Sequence, residues 1–239
     1  MTEKTFTKLI HLFYPLDCSI CGDTDLLASK ISICRKCYRS ETKSQNPNLE
    51  NLCEKCKTKI NASECPYCKS RNVFFNQLYY LREKNNFETE LIRKIKFGNN
   101  PYLTNYFRIG LGKRIKILKN NSYKNIIQIP SNQKTLRTRP FAVSKPISDY
   151  LMKKLKLEVI KPIVKTSSEL QSGKSFRDRF LHAQTAFSVI AKYKNQLNGN
   201  YLLVDDVFTT GATVNEISKL LLINGAKSVD ILVLAKGKV

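Results

Sequence analysis

Apolar residues fall into two kinds of run along this 239-residue chain, and the two alternate after residue 72. Short apolar stretches have the length and flanks of strands buried on both faces. They are 201–204 (Tyr-Leu-Leu-Val), 126–129 (Ile-Ile-Gln-Ile, halted by Pro130), the pair Val159-Ile160, and 228–235, with Ile231, Leu232, Val233 and Leu234 in succession. Val73-Phe74-Phe75 and Leu78-Tyr79-Tyr80 predict further strands or a hairpin. Between these runs the spacing turns helical. Leu91, Ile92 and Ile95 share a face over 88–97, with Gly98 placed as a C-cap. A second helix is predicted over 102–118, a third over 141–155 (Val143, Ile147, Tyr150, Leu151), and a fourth behind residue 212 (Val214, Ile217, Leu220, Leu221). Strands alternating with helices predict an α/β fold with a mostly parallel sheet flanked by helices.

Before residue 73 the pattern is different. All eight cysteines fall there, in four pairs of one spacing: Cys18-x-x-Cys21, Cys34-x-x-Cys37, Cys53-x-x-Cys56 and Cys65-x-x-Cys68. A Cys-x-x-Cys knuckle aims two thiolates at one point, and two knuckles complete the tetrahedral shell that zinc prefers, with no position left open for chemistry. Four knuckles therefore predict two structural Zn²⁺ sites. Taken in order they give Cys18, Cys21, Cys34 and Cys37 at one site and Cys53, Cys56, Cys65 and Cys68 at the other; interleaved ligation meets the same count. A redox pair would open a helix within a βαβ pattern, and no such context surrounds these cysteines. Residues 41–51 are polar and read as a connector between two lobes. The chain is thus expected to divide into a small metal module, 1–72, and a sheet domain, 73–239.

Charge adds a class of partner. The 41 basic and 19 acidic residues leave a net charge of +22, an excess that favours polyanions. Abundant Lys, Asn and Ile also fit an AT-rich coding bias, which places lysine on any solvated surface but has no preference of sign. Aromatics lie among basic residues at Tyr102, Tyr106, Phe107, Arg108 and Tyr123. They are either a stacking platform for single-stranded DNA or the core side of a helix. No apolar run reaches the length of a membrane span. Near the start, Leu9, Ile10, Leu12 and Phe13 have charges close by and no small-residue cleavage site after them. A cytoplasmic chain is the expectation.

The densest chemistry follows the run at 201–204. Two carboxylates, Asp205 and Asp206, come next, then Val207-Phe208 and a small hydroxyl-rich turn, Thr209-Thr210-Gly211-Ala212-Thr213, that opens a helix. Backbone N–H groups at a helix start lack partners within the helix and lie at its positive end. Small residues let a phosphate approach them, threonine hydroxyls add donors, and Gly211 tolerates the positive φ such turns often need. Ionised carboxylates accept hydrogen bonds only, which suits the vicinal hydroxyls of a ribose. At the carboxyl end of a parallel strand they face the crevice where open α/β sheets bind ligands.

Residues 202–213 resemble, without a gap, the ribose-5-phosphate loop of type I phosphoribosyltransferases, which use phosphoribosyl pyrophosphate. With the cysteine knuckles, the whole chain resembles the ComF family, in which a zinc-ribbon region is fused to a phosphoribosyltransferase-like domain. That family is associated with natural competence, the uptake of DNA as a single strand. The resemblance implies that Asp205 and Asp206 hold the ribose hydroxyls or metal-bound water. It also implies that Val207, Phe208, Thr209, Thr210, Gly211, Ala212 and Thr213 form the phosphate cup, with Mg²⁺ accompanying phosphoribosyl pyrophosphate or a related nucleotide. Lys134, Arg137 and Arg139, after the strand at 126–129, fit a pyrophosphate-cradling loop. There Pro140 stands in place of the family's Gly, and Ala142-Val143 in place of Asn-Gln. Residues 166–187 resemble the flexible loop and the segment after it, with Gln171, Arg179 and Ala186-Phe187 matching and His182 where Asn is usual. The resemblance implies a protein of DNA uptake that binds phosphoribosyl pyrophosphate and single-stranded DNA and has phosphoribosyltransferase activity; two other roles remain open, a non-catalytic module that senses a nucleotide or handles DNA, and a phosphoribosyltransferase of base metabolism without a DNA role. The zinc lobes add a possible docking surface for a protein.

Overall fold

A computed structural model describes residues 17–25, 28–44, 51–60, 63–98, 100–130, 143–166 and 185–237. The elements in order are α1 (Ala28–Ile31), α2 (Arg35–Ser44), α3 (Pro66–Lys69), β1 (Leu78–Glu83), α4 (Asn86–Phe97), α5 (Thr104–Asn120), β2 (Tyr123–Gln128), α6 (Ser144–Leu155), β3 (Glu158–Ile160), β4 (Ile163–Lys165), β5 (Phe187–Val189), β6 (Gly199–Phe208), α7 (Ala212–Ile223) and β7 (Ala226–Lys236). A 3₁₀ turn, Pro101–Leu103, leads into α5.

Five strands form one sheet in the order β1-β7-β6-β2-β3, every neighbouring pair parallel. The expected α/β architecture is borne out. β2 and β6 lie side by side, but their following strands pair on opposite sides, β3 beyond β2 and β7 beyond β6. A crevice opens at such a switch point, outside the carboxyl ends of the two strands.

Strand residues alternate between two apolar layers. Ile126, Leu202, Val204, Leu232 and Leu234 pack with α4, α5 and α6 through Leu91, Ile95, Phe107, Leu111, Ile147 and Leu151. Ile127, Leu203, Ile231 and Val233 pack with α7 through Val214, Ile217 and Leu221. The cysteine region supplies no strand to the sheet among the described residues, yet it enters both layers. Cys18, Ala28, Ile31, Ile33 and Cys34 join the first, and Cys56 and Tyr67 the second.

Several local expectations are corrected. Val73-Phe74-Phe75 is not a strand; the first begins at Leu78. β6 does not stop at Val204, because Asp205, Val207 and Phe208 go on pairing with Val233, Ala235 and Lys236 of β7. Residues 41–44 are not connector but the end of α2, and 45–50 lie outside the described residues. Gly98 does cap α4, its N–H donating to the Lys94 carbonyl, but at φ −89°, not in the left-handed region. The antiparallel ribbon β4–β5 was not foreseen. Bonds from Thr166 N–H to the Ala186 carbonyl and from Thr166 Oγ1 to the Thr185 carbonyl extend it.

Candidate functional site

Asp205 and Asp206 project from the carboxyl end of β6, and their surroundings differ. α4 delivers Lys96, whose Nζ forms an ion pair with Asp206 Oδ2. Their side chains are 24% and 21% exposed, so water screens the pair only in part. Asp205 Oδ1 accepts the Asp206 backbone N–H at 2.8 Å. Removal from water, reinforced by the Asp206 carboxylate, pushes the Asp205 pKa up to about 8, against the pull of that N–H and of Lys96. The shift favours the protonated form of Asp205, which offers a donor as well as an acceptor.

Behind the carboxylates the chain turns through Gly211 at φ +72° and enters α7. Glycine is required there twice over. The backbone is left-handed, and a Cβ would lie 2.2 Å from the Tyr67 hydroxyl and 2.6 Å from the Phe208 ring. Thr210 Oγ1 accepts the Ala212 N–H at 3.3 Å, and no acidic residue occupies the first turn of α7. Residues 205–214 line a cleft of about 220 Å³. Within this stretch Thr209, Thr210 and Thr213 are half-buried, while Phe208 and Ala212 are buried. Phe208 packs its ring on Tyr67 and Phe75, so only its backbone can serve a ligand. The N–H of Gly237 donates to the Phe208 carbonyl at 2.8 Å and ties the turn to the end of β7.

The eight thiols gather in sequence order, not interleaved. Cys18, Cys21, Cys34 and Cys37 form one group and Cys53, Cys56, Cys65 and Cys68 the other, with all four sulfurs of each group within 4.8 Å of one another. Cys21–Cys34, Cys53–Cys68 and Cys56–Cys65 are 3.6, 3.8 and 3.4 Å apart. Tetrahedral ligation at a metal–sulfur distance of about 2.3 Å separates sulfurs by about 3.8 Å, so both groups fit a metal ion. Burial raises the Cys18 thiol, but backbone N–H groups of Cys34, Cys21 and Ile20 bring it down to about 7. Cys53 falls likewise to about 7, its burial outweighed by the N–H groups of Cys56 and Lys55. Burial and neighbouring thiols hold Cys37 and Cys68 well above the usual thiol range. Metal binding at such a group must displace the protons its thiols retain.

Over 154 residues the chain is 30% identical to Competence protein F of Haemophilus influenzae, a match covering 61% of this chain and 66% of that protein. The chain is a homologue of that competence protein. It spans just under two thirds of its relative's length. No protein-family model matches. A solved adenine phosphoribosyltransferase is similar at 16% identity and a TM-score of 0.34, covering 58% of this chain and 74% of that one. The resemblance to the ComF family drawn from the motifs is borne out by the Haemophilus relative, and the fold assignment rests on the strand order itself.

Other expected site residues fare differently. Lys134, Arg137 and Arg139 lie outside the described residues, as do Gln171, Arg179 and His182. The β2 strand that leads to the first three ends beside the site, with Gln128 paired to Val204. Of the aromatics considered for stacking on DNA, Tyr106, Phe107 and Tyr123 are buried, and only Tyr102 is exposed, at 59%. Of the two readings left open for these positions, the core holds for three of the four rings. Among the described residues no helix is long and apolar enough to cross a membrane. Lys96 was missed as a site residue. Its one signal, a lysine at the end of an amphipathic helix, is shared by many solvated lysines.

Proposed function

We propose that the cleft at 205–213 binds the ribose 5-phosphate part of phosphoribosyl pyrophosphate or a related nucleotide, in a ComF-type protein of DNA uptake. The observation that carries this reading is the left-handed turn at Gly211, which sets a carboxylate pair and a helix start side by side at the switch point of a parallel sheet. Thr209, Thr210, Gly211 and Thr213 hold the 5-phosphate. Asp205 and Asp206 hold the ribose hydroxyls. Lys134, Arg137 and Arg139 grip the pyrophosphate. Asp205 and Asp206 would help to hold Mg²⁺, directly or through bound water, and the ion would supply positive charge to the phosphates. Zinc fills the two thiol groups as structural ions, residues 1–72 form the metal module, and the protein works in the cytoplasm.

Transfer of the ribosyl group requires the residues to hold C1 in line with an acceptor while stabilising the departing pyrophosphate. A second reading, binding without turnover, is favoured by Pro140 and Ala142-Val143, which replace the family's Gly and Asn-Gln beside the pyrophosphate-loop residues. Titration calorimetry with phosphoribosyl pyrophosphate tests the shared claim. Wild type binds, and Asp205→Asn with Asp206→Asn loses binding while keeping its circular dichroism; unchanged affinity would reject the site. A screen of bases and amines for pyrophosphate release then separates the enzyme from the module. The net charge of +22 supports the DNA role. Oligonucleotide affinity should fall steeply with salt, with a log–log slope of about −0.7 for each phosphate neutralised.

A further inference from the structure

The second cysteine lobe reaches the proposed phosphate turn through one side chain. Tyr67 stands between two thiol ligands, Cys65 and Cys68, on the short helix α3. Its hydroxyl donates to the Thr210 carbonyl at 3.0 Å, across 143 residues of sequence. Its ring is buried, with its centroid 5.7 Å from that of Phe208. It closes the space that a side chain at residue 211 would need, with only 2.2 Å between its hydroxyl and such a Cβ. The Arg71 guanidinium covers its ring at 3.9 Å, and Arg71 Nε donates to the Tyr67 carbonyl.

A second attachment lies one turn further along α7. Asn215 accepts the Phe74 N–H at 2.8 Å and donates through Nδ2 to the Asn72 carbonyl at 2.9 Å. The chain leaving the lobe is thereby fastened to the first turn of the helix whose start the phosphate would meet. The first lobe has no such tie among the described contacts. It bonds instead to α4, to the cap of the 3₁₀ turn and to the start of α5, through Lys94 to the Ser19 carbonyl, Asn100 to Ser19 Oγ and Asn105 to the Lys30 carbonyl.

We infer that Tyr67 is a positioning residue for the phosphate turn, and that affinity for the 5-phosphate depends on the metal load of the Cys53–Cys56–Cys65–Cys68 lobe and not of the other. The inference rests on the reading of the cleft given above. Cys65 and Cys68 bracket Tyr67, so a metal bound by both fixes where its hydroxyl stands. That hydroxyl holds the Thr210 carbonyl, and the peptide after it leads into Gly211 and the amides of α7. Release of the metal frees α3, the turn populates other conformations, and apparent affinity falls in proportion to the competent fraction. The coupling is reciprocal: a ligand that orders the turn tightens metal at this lobe by the same factor.

The test uses the full chain loaded with zinc, with ribose 5-phosphate as the titrant in calorimetry. Tyr67→Phe removes only the hydroxyl. Its dissociation constant should rise about fivefold, the scale of one neutral hydrogen bond, with zinc content unchanged. Amide hydrogen exchange over residues 208–215 should quicken. Cys68→Ser should weaken binding further, and Cys21→Ser, in the first lobe, should not. An unaltered dissociation constant and unaltered exchange in Tyr67→Phe would overturn the inference, even if the variant melts earlier. Equal losses in the two cysteine variants would overturn the lobe-specific coupling. Failure of wild type to bind ribose 5-phosphate at all would overturn the reading of the cleft, and the inference with it. If a cysteine variant does not fold, Tyr67→Phe decides the positioning role, and the reciprocal titration of wild type decides the coupling: ribose 5-phosphate should slow zinc release to a chelator, and an unchanged release rate would overturn it.

Discussion

Asp205 and Asp206 are neighbours in sequence but not in surroundings, and the difference has a measurable signature. Asp206 has Lys96, whereas Asp205 has burial and a like charge, which raise its pKa to about 8. An unfolded chain releases the same proton near pH 4. Between those values the folded state binds more protons than the unfolded one, so Asp205 makes stability fall as pH rises from about 4 to about 8, with no further loss above. Asp205→Asn keeps an oxygen for the Asp206 N–H and cannot ionise. Its melting temperature should match wild type near pH 4 and exceed it at pH 8 and above, as scanning calorimetry across that range would register. A uniform offset at every pH would contradict the assignment. Gly211 is constrained by geometry instead of charge. Gly211→Ala places a Cβ in a left-handed backbone and against the Tyr67 hydroxyl. Urea unfolding should report a loss of about 2–4 kcal/mol from the combined strain and overlap.

Among elements, those readable in the sequence are the ones whose pattern is decided locally. The strands at β6 and β7 and the helices α4 and α7 carry unbroken apolar runs or faces, because each is buried by its own residues. The turn at 209–213 was legible because Thr and Gly at those positions have few other uses. What was not legible is set by partners distant in sequence. Val73-Phe74-Phe75 looks like a strand, but the Phe74 amide is taken by Asn215. Asp205–Phe208 looks like a loop, but β7 continues the ladder past it. Lys96 reads as a surface lysine until the fold sets Asp206 beside it. Tyr123 sits among basic residues, as a stacking aromatic would. It is instead a donor to buried Asp230, at 2.6 Å, in a cluster with Asn76 and the Gln77 N–H that fastens the amino ends of β1 and β2 to β7. That cluster lies at the opposite end of the strands from the site. Tyr123→Phe should therefore cost about 1.5–3 kcal/mol, the range for a hydrogen bond to a charged group. It should leave ribose 5-phosphate affinity as in wild type, a pairing that denaturant melts and calorimetry on one preparation can verify.

At the scale of the molecule, composition divides the chain at residue 72 but packing does not respect the division. The first cysteine lobe lies against the layer built by α4 and α5, where Tyr38 and Phe87 meet Tyr106 edge-on at 5.9 and 5.7 Å. The second lies against the layer of α7, where Tyr67 and Phe75 enclose Phe208. The sheet is thus covered by helices and by a cysteine lobe on each face. Each lobe gathers four thiols that could hold a metal ion, and small lobes with little apolar core of their own lean on ligation to hold their shape, so on the reading proposed above metal loss should be felt on both layers. Two experiments separate this arrangement from a pair of independent domains. Chelation of the full chain should lower one cooperative transition, seen alike by far-ultraviolet circular dichroism and by tyrosine fluorescence, and should not detach an early, separate step. A chain of residues 73–239 alone should expose Phe208 and Tyr106, which lose Tyr67 and Tyr38, and should bind a hydrophobic dye and melt well below the intact protein. If that fragment instead gave the same melting temperature as the zinc-loaded whole, the lobes would be appendages, and the packing on both faces would contribute nothing to the stability of the sheet.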